Sequence, residues 1–204
     1  TRQIRLGTNV YLMGLRHPFI AARAIQTLDI ASGGRAEIGV GAGWLRSEWS
    51  ATGMDPCSRG RRLDEVLGVC KRLWSEDSVA HQGEFYQFDA VKFEPKPVQR
   101  PNPPIHIGGE SAAALQRAAR SGDGWYGIGH TLSTIEPVLK KLRETVRAEG
   151  RDPEELEIIT TADVSTRDDL QRWEDIGVTR LVVCPWRRGS EAVEGLQRFA
   201  EDVL

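Results

Sequence analysis

Apolar residues along the chain recur in two alternating rhythms. Short runs rich in β-branched and aromatic residues predict strands at Ile4–Met13, "RAEIGVGAG" (35–43), "PIHIGG" (104–109), "GWYGIG" (124–129), "LEIITTADV" (156–164) and "TRLVVCPW" (179–186). Between them lie stretches with helical spacing. "HPFIAARAIQTLDIASGGR" carries Pro18 in its first turn and stops at Gly33-Gly34. In "RRLDEVLGVCKRLWS", Leu63, Val66, Leu67, Cys70, Leu73 and Trp74 form one continuous stripe. Further helices are predicted over "ESAAALQRAARSG" (110–122), "TIEPVLKKLRETVRAEG" (134–150), "RDDLQRWEDIG" (167–177) and "EAVEGLQRFAEDVL" (191–204). In the second of these, Ile135, Val138, Leu139, Leu142 and Val146 share a face. Residues 79–104 break the rhythm, alternating aromatic and polar positions before turning proline-rich, and read as a small hairpin or extended excursion.

Six strand-then-helix units in a row argue for a parallel sheet with helices outside it. An open doubly wound sheet and a (β/α)8 barrel compete for this pattern. No glycine fingerprint follows the first strand at dinucleotide-fold spacing, which weakens the open sheet. Eight units typically take about 250 residues; this chain has six in 204. The expectation is an α/β single domain over residues 1–204, of the (β/α)8 TIM-barrel type, lacking the first two βα units.

Composition narrows the partners. With 40% hydrophobic and 27% charged residues and a formal net charge of -2, nothing favours nucleic acid or an anionic membrane surface. No apolar run approaches the roughly 20 residues that span a bilayer, and the opening residues do not read as a secretory signal. Cys57, Cys70 and Cys184 are odd in number and widely spaced, and read as reduced cytosolic thiols.

Ligands of parallel α/β folds bind at the C-terminal ends of strands, and four such ends are unusual here. In "GTNV" (7–10), Asn9 is a polar residue in a strand expected to be buried, so its amide needs either a ligand or a structural partner. In "GVGAGW" (39–44), alternating glycines either let a flat ring or phosphate approach the backbone or serve tight packing. In "PPIHIGGESAAAL" (103–115), a helix starting after Gly108-Gly109 presents unpaired amides and the positive end of its dipole. With the Ser111 hydroxyl these could hold a phosphate, or Ser111 or Glu110 could simply cap the helix. In "PWRRGS" (185–190), Arg187 and Arg188 could hold an anion or form a solvated turn. His130 could be a proton donor at a strand end, whereas His17 and His106 read as structural and His81 carries no signal. No Ser-His-Asp set, metal-ligand cluster, Walker loop or paired-carboxylate motif can be assembled, which leaves a hydrolase reading without support.

Taken in order and spacing, "LGTNV", "HPFIAARAIQTLDIASGGRAEIGVGAGW", "FEPKPVQRPNPPIHIGGES" and "AARSGDGWYGIG" resemble the bacterial luciferase-like monooxygenase family, including its deazaflavin (coenzyme F-420) dependent branch. The resemblance covers almost the whole chain. It implies a barrel with coenzyme F-420 or FMN at its C-terminal mouth and an oxidoreductase acting on a small organic substrate. A flavin would serve oxygenation and a deazaflavin would serve hydride exchange. It also implies a non-proline cis peptide within Thr8-Asn9-Val10, a cofactor lining at Ala42 and Gly43, and a phosphate held on Gly108, Gly109, Glu110, Ser111 and the following amides.

By the same resemblance the chain starts at the third strand of the family. The catalytic histidine or acid commonly supplied from the second strand is therefore not among these residues, and the catalytic residue is unknown. Trp44 stands where some deazaflavin enzymes carry glutamate, so that acid role is not supplied here, whereas Ala42 stands where the luciferases proper carry arginine, which favours the deazaflavin branch. A cytoplasmic homodimer is the implied context. A non-catalytic flavin-binding or structural relative with an incomplete barrel is the alternative.

Overall fold

The computed structural model describes residues 1–203 and divides into two compact units, the first Thr1–Gly108 and the second beginning at Gly109. In the first unit, β1 (Leu6–Tyr11), β2 (Ala36–Val40) and β5 (Ile105–Gly108) are parallel, with β2 in the middle. Every residue of β2 is buried, as a strand with neighbours on both edges should be. Helix α1 (Pro18–Ser32) joins β1 to β2, and α2 (Arg46–Ala51) and α3 (Arg59–Ser75) follow β2. An antiparallel hairpin of β3 (Val79–Gln82) and β4 (Gln87–Val91) fills the predicted excursion.

The ends of α1 are set by its sequence. His17 Nδ1 accepts from the Phe19 amide at 3.4 Å; Pro18 occupies the first turn, and Gly33 closes the helix at φ +69°. The small residues Ala21 and Ala22 are fully buried. They let α3 approach closely enough for the Trp74 indole N–H to reach the Ala22 carbonyl at 3.1 Å. The stripe expected on α3 is buried as expected, with Val69 added to it.

Two carboxylates hold the excursion to this core. Glu65 on α3 accepts from the amides of Phe85 and Tyr86, both at 2.9 Å, and from His81 Nε2 at 3.0 Å. Burial pushes the Glu65 carboxyl up, but these bonds together outweigh it and hold it below the usual carboxylate value. A Cβ on Gly83 would lie 2.1 Å from Glu65 Oε1, so a larger residue there would displace the Glu65 carboxylate. Asp29, fully buried on α1, accepts from the Val98 amide at 2.7 Å and from the Gln99 amide and side chain at 3.0 and 2.7 Å. That cluster fixes the proline-rich return into β5, where the Glu94–Pro95 and Arg100–Pro101 bonds are cis.

In the second unit, β6 (Gly124–Gly127), β7 (Glu157–Thr161) and β8 (Arg180–Val182) are parallel with β7 in the middle. Helix α4 (Ala112–Ser121) opens the unit, and α5 (Leu132–Ala148), α6 (Arg167–Asp175) and α7 (Ala192–Asp202) follow the strands in turn. Leu115, Ala118 and Ala119 of α4 and Ile135, Leu139, Leu142 and Val146 of α5 are buried, the latter four on the expected stripe. Arg151 Nη1 donates to the Ala119 and Gly122 carbonyls at 2.7 and 2.9 Å, satisfying the C-terminal end of α4. The side chains of Thr131 and Thr166 cap α5 and α6. The closing helix was expected to run to Leu204, which lies outside the described residues.

Three expectations need correction. The strands are shorter than their apolar runs, because the flanking residues form turns and caps. Arg46–Ala51, for which the apolar pattern predicts no element, is a short helix that buries Trp49 alone, too little apolar surface for a periodic signal. Strand β1 pairs with β2 on one side, and Asn9 is exposed rather than buried. Its amide therefore meets water without penalty.

Candidate active site

At the C-terminal ends of β1 and β2 the structure brings Thr8, Asn9 and Val10 beside the glycine run that leads to Ala42 and Gly43. The Asn9–Val10 peptide bond is cis. Thr8 Oγ1 donates to the Gly39 carbonyl at 2.8 Å, so this hydroxyl is committed to the strand pair. A Cβ on Gly39 would lie 2.1 Å from the Thr8 carbonyl oxygen, and one on Gly41 2.8 Å from Val10 Cγ2. Close strand packing therefore explains two of the three alternating glycines. The third, Gly43, has φ +75°, and a Cβ there would sit 3.2 Å from Trp49 Nε1. The Trp49 indole is fully buried and its N–H has no acceptor, an exception to the rule that buried polar groups are paired.

Beyond β1, an open depression of about 510 Å³ is lined by Val10, Tyr11, Leu12, Arg16 and Glu48, among others. The Arg16 guanidinium stacks over the Tyr11 ring at 4.5 Å and donates to the Leu12 carbonyl at 3.0 Å. Burial pushes the Tyr11 hydroxyl up from its ordinary value, with Arg16 pulling the other way. Neither residue stood out in the sequence, where Tyr11 sits within the first predicted strand and Arg16 just before the first predicted helix.

Gly108 ends β5. In the second unit, Gly109, Glu110 and Ser111 form an exposed turn into α4. Gly109 has φ +109°, which favours glycine. Ser111 is the cap: its Oγ accepts from the Ala114 amide at 3.2 Å, and the first intrahelical bond runs from Ala114 N to Ser111 O at 2.8 Å. The amides of Ser111, Ala112 and Ala113 precede that bond and have no carbonyl to meet within the helix. The Ser111 hydroxyl accepts one bond and retains its own hydrogen to donate. Capping and anion binding are thus compatible at this turn.

Trp125 braces the turn from β6, its indole N–H donating to the Gly109 carbonyl at 2.8 Å, while the Gly109 amide donates to the Tyr126 carbonyl at 3.4 Å. His130 lies against the Trp125 ring, 5.8 Å between centroids, with Nε2 3.0 Å from Glu110 Oε1. The His130 and Trp125 side chains crowd Gly127, where a Cβ would fall 2.9 Å from the imidazole and 2.4 Å from the indole. Of these braces, His130 had been singled out in the sequence; Trp125 and Gly127 had not. An aromatic pair between the glycines of "GWYG" was the signal available. Arg187 and Arg188 are exposed and form a solvated turn. His17 caps α1 and His106 is buried in β5. Among the described residues no cluster of three or more His, Cys, Asp or Glu could hold a metal, the three cysteines are free thiols, and no helix is long and apolar enough to cross a membrane.

Comparison with known proteins shows the family of the chain. The profile of a family described as luciferase-like monooxygenase matches residues 1–183. An uncharacterized protein of Mycobacterium tuberculosis is 36% identical over 206 residues, covering 98% of this chain and 71% of its own. The FMNH(2)-dependent dimethylsulfone monooxygenase of Pseudomonas putida is 34% identical over 142 residues, 68% of this chain but 39% of that enzyme. Among solved structures, the coenzyme F420 dependent tetrahydromethanopterin reductase from Methanopyrus kandleri matches with a TM-score of 0.83 at 17% identity, over 98% of this chain and 82% of that one. That likeness shows a shared α/β fold.

Proposed function

The chain belongs to the luciferase-like monooxygenase family, and we propose that it is an oxidoreductase whose six strand–helix units correspond to the third to eighth of a (β/α)8 barrel. Its cofactor is FMN or coenzyme F-420, the cofactors named for the sulfone monooxygenase and the tetrahydromethanopterin reductase. The single observation that carries the cofactor assignment is the exposed turn into α4. There a glycine at positive φ, a serine cap and three unbonded amides meet at a strand end. The donor set fits a phosphate, since the Gly109 carbonyl is taken by the Trp125 indole and the Ser111 carbonyl by α4, while the first amides of the helix and the Ser111 hydroxyl hydrogen remain to donate.

In this reading Gly109 gives the backbone its close approach, Glu110 contributes its main-chain N–H, and Ser111 contributes its hydroxyl and amide. In the first unit, taken by itself, Thr8, Asn9, Val10, Ala42 and Gly43 are assigned to lining a flat ring, and Gly108 to the end of its last strand. The depression beside Tyr11 and Arg16 takes a small organic substrate, with the Arg16 guanidinium held by Tyr11 and the Leu12 carbonyl rather than free to move. The bound cofactor would supply the two-electron chemistry, a flavin with oxygen or a deazaflavin with the substrate directly. The work of the chain is to anchor, orient and desolvate.

The test is direct binding of FMN and of F-420, each followed by cofactor fluorescence. Binding of one of them is expected, and absence of binding of both refutes the proposal. Ser111→Asp should weaken the binding that is found while leaving the circular dichroism and melting of the protein unchanged. A variant that binds as tightly as the parent would reduce the turn to a helix cap.

A further inference from the structure

The turn into α4 contains a difficulty for any anion, namely the carboxylate of Glu110. A glutamate immediately before a helix is drawn to the same free amides that would hold a phosphate, because both are anions attracted by the helix N-terminus. Left to itself, the Glu110 side chain would compete with the ligand for its own site.

The structure holds that side chain elsewhere. Glu110 Oε1 is 3.0 Å from His130 Nε2, with the imidazole only 6% exposed and the carboxylate 48% exposed. The imidazole has little freedom to follow a moving carboxylate. It lies against Trp125 and over Gly127, where a Cβ would meet it at 2.9 Å, and its Nδ1 is 3.5 Å from Thr134 Oγ1 in the cap of α5. Nε2 is also buried without a hydrogen-bond partner of good alignment. Its short approach to Glu110 lies off the line of the N–H. A buried imidazole packed on two sides beside a half-exposed carboxylate is placed to anchor that carboxylate.

We infer that His130 is a positioning residue of the phosphate turn: it holds the Glu110 carboxylate toward the β6–α5 loop and so keeps the amides of Ser111, Ala112 and Ala113 available to the cofactor phosphate. This rests on the reading of the turn given above, and it assigns Glu110 and His130 opposite effects. Removing His130 releases an internal competitor, whereas removing the charge of Glu110 abolishes the competitor. The effect of His130 on the phosphate should therefore vanish when Glu110 is no longer charged.

The experiment compares two ligand pairs, FMN with riboflavin and F-420 with the phosphate-free 5-deazariboflavin, on the parent, Glu110→Gln, His130→Phe and the double variant. The parent is expected to bind the phosphate-bearing member of its preferred pair more tightly. His130→Phe should weaken that member roughly tenfold, the scale of a carboxylate at a helix N-terminus, and leave the phosphate-free member unchanged. Glu110→Gln should bind at least as tightly as the parent, and the double variant should return to within about twofold of Glu110→Gln, since the released competitor carries the whole effect. If the parent does not distinguish the members of either pair, the phosphate reading of the turn is wrong, and the role of His130 goes with it. If it does, but the double variant stays as weak as His130→Phe, or His130→Phe weakens both members alike, the phosphate site stands and the positioning role is refuted. Should His130→Phe fail to fold, Glu110→Gln alone decides: a loss of affinity there would make Glu110 a ligand rather than a competitor.

Discussion

Asp29 is the polar group on which the first unit most depends, and Asp29→Ala measures how much. The carboxylate is fully buried and accepts three bonds at 2.7–3.0 Å from Val98 and Gln99. Hydrogen bonds to a charged group contribute about 1.5–3 kcal/mol each, and a donor left buried without an acceptor carries a further penalty. Here the penalty is partly relieved, because Val98 is exposed and Gln99 half-buried, so water can reach the freed amides. The low end of the range applies, and three bonds give a loss of about 4.5 kcal/mol. At roughly 2–4 °C per kcal/mol for a chain of this size, melting should fall by about 9–18 °C. Asp29→Asn preserves volume and one acceptor oxygen but turns an NH2 toward a donor, and should cost about half as much. Urea titration followed by tryptophan fluorescence gives the free energy. Amide exchange at Val98 and Gln99 localises it, since those two amides should lose their protection before the β2 amides do. A loss under about 1 kcal/mol, or unchanged exchange at Val98 and Gln99, would show that the return segment is held by something other than this carboxylate.

Other expectations are as sharply placed. Glu65 has a folded-state pKa below its unfolded one, so it contributes stability above the unfolded value of about 4.3 and loses it as pH falls through the lower folded value. Melting of the parent should therefore exceed that of Glu65→Gln at pH 7 by a gap that narrows as the pH falls below the unfolded value, and a gap that does not narrow in acid would exclude the mechanism. Burial pushes the Cys70 thiol well above its ordinary value, whereas Cys57 and Cys184 are exposed. A thiol reagent should modify two cysteines in the native protein and the third only on unfolding. Gly39→Ala places a methyl group 2.1 Å from the Thr8 carbonyl and should cost at least about 2–3 kcal/mol by forcing β1 away from β2; unchanged melting would return Gly39 to the list of glycines kept for a ligand.

How much of this was legible depended on periodicity. The stripes of α3 and α5 were read correctly because each repeats over several turns, and Pro18 with Gly33 bounded α1 for stated steric reasons. Helix α2 was missed because six residues with one buried side chain carry no period. The burial of β1 was misjudged because an alternating strand reads the same whether one or both of its edges are paired. The carboxylates Asp29 and Glu65 were invisible for a different reason. Their partners lie 69–70 and 16–21 residues away, and a single sequence gives no sign of which distant amide a buried carboxylate will meet.

The strand-end landmarks show a subtler limit. The glycines of "GVGAGW" were open to two readings, space for a ring or close packing, and the contacts divide them: Gly39 and Gly41 answer to Thr8 and Val10, while Gly43 does not face β1 at all. A motif with one period can therefore hold residues kept for different reasons, and only the identity of the atom each Cβ would strike separates them. At "GGES" the two readings turned out not to compete. A serine that caps a helix uses a lone pair, a serine that binds phosphate uses its hydrogen, and one hydroxyl can do both. In the proposed site the turn then needs more than Ser111: the neighbouring carboxylate must also be kept off the amides. That depends on an imidazole 20 positions along the chain, reached through the next strand.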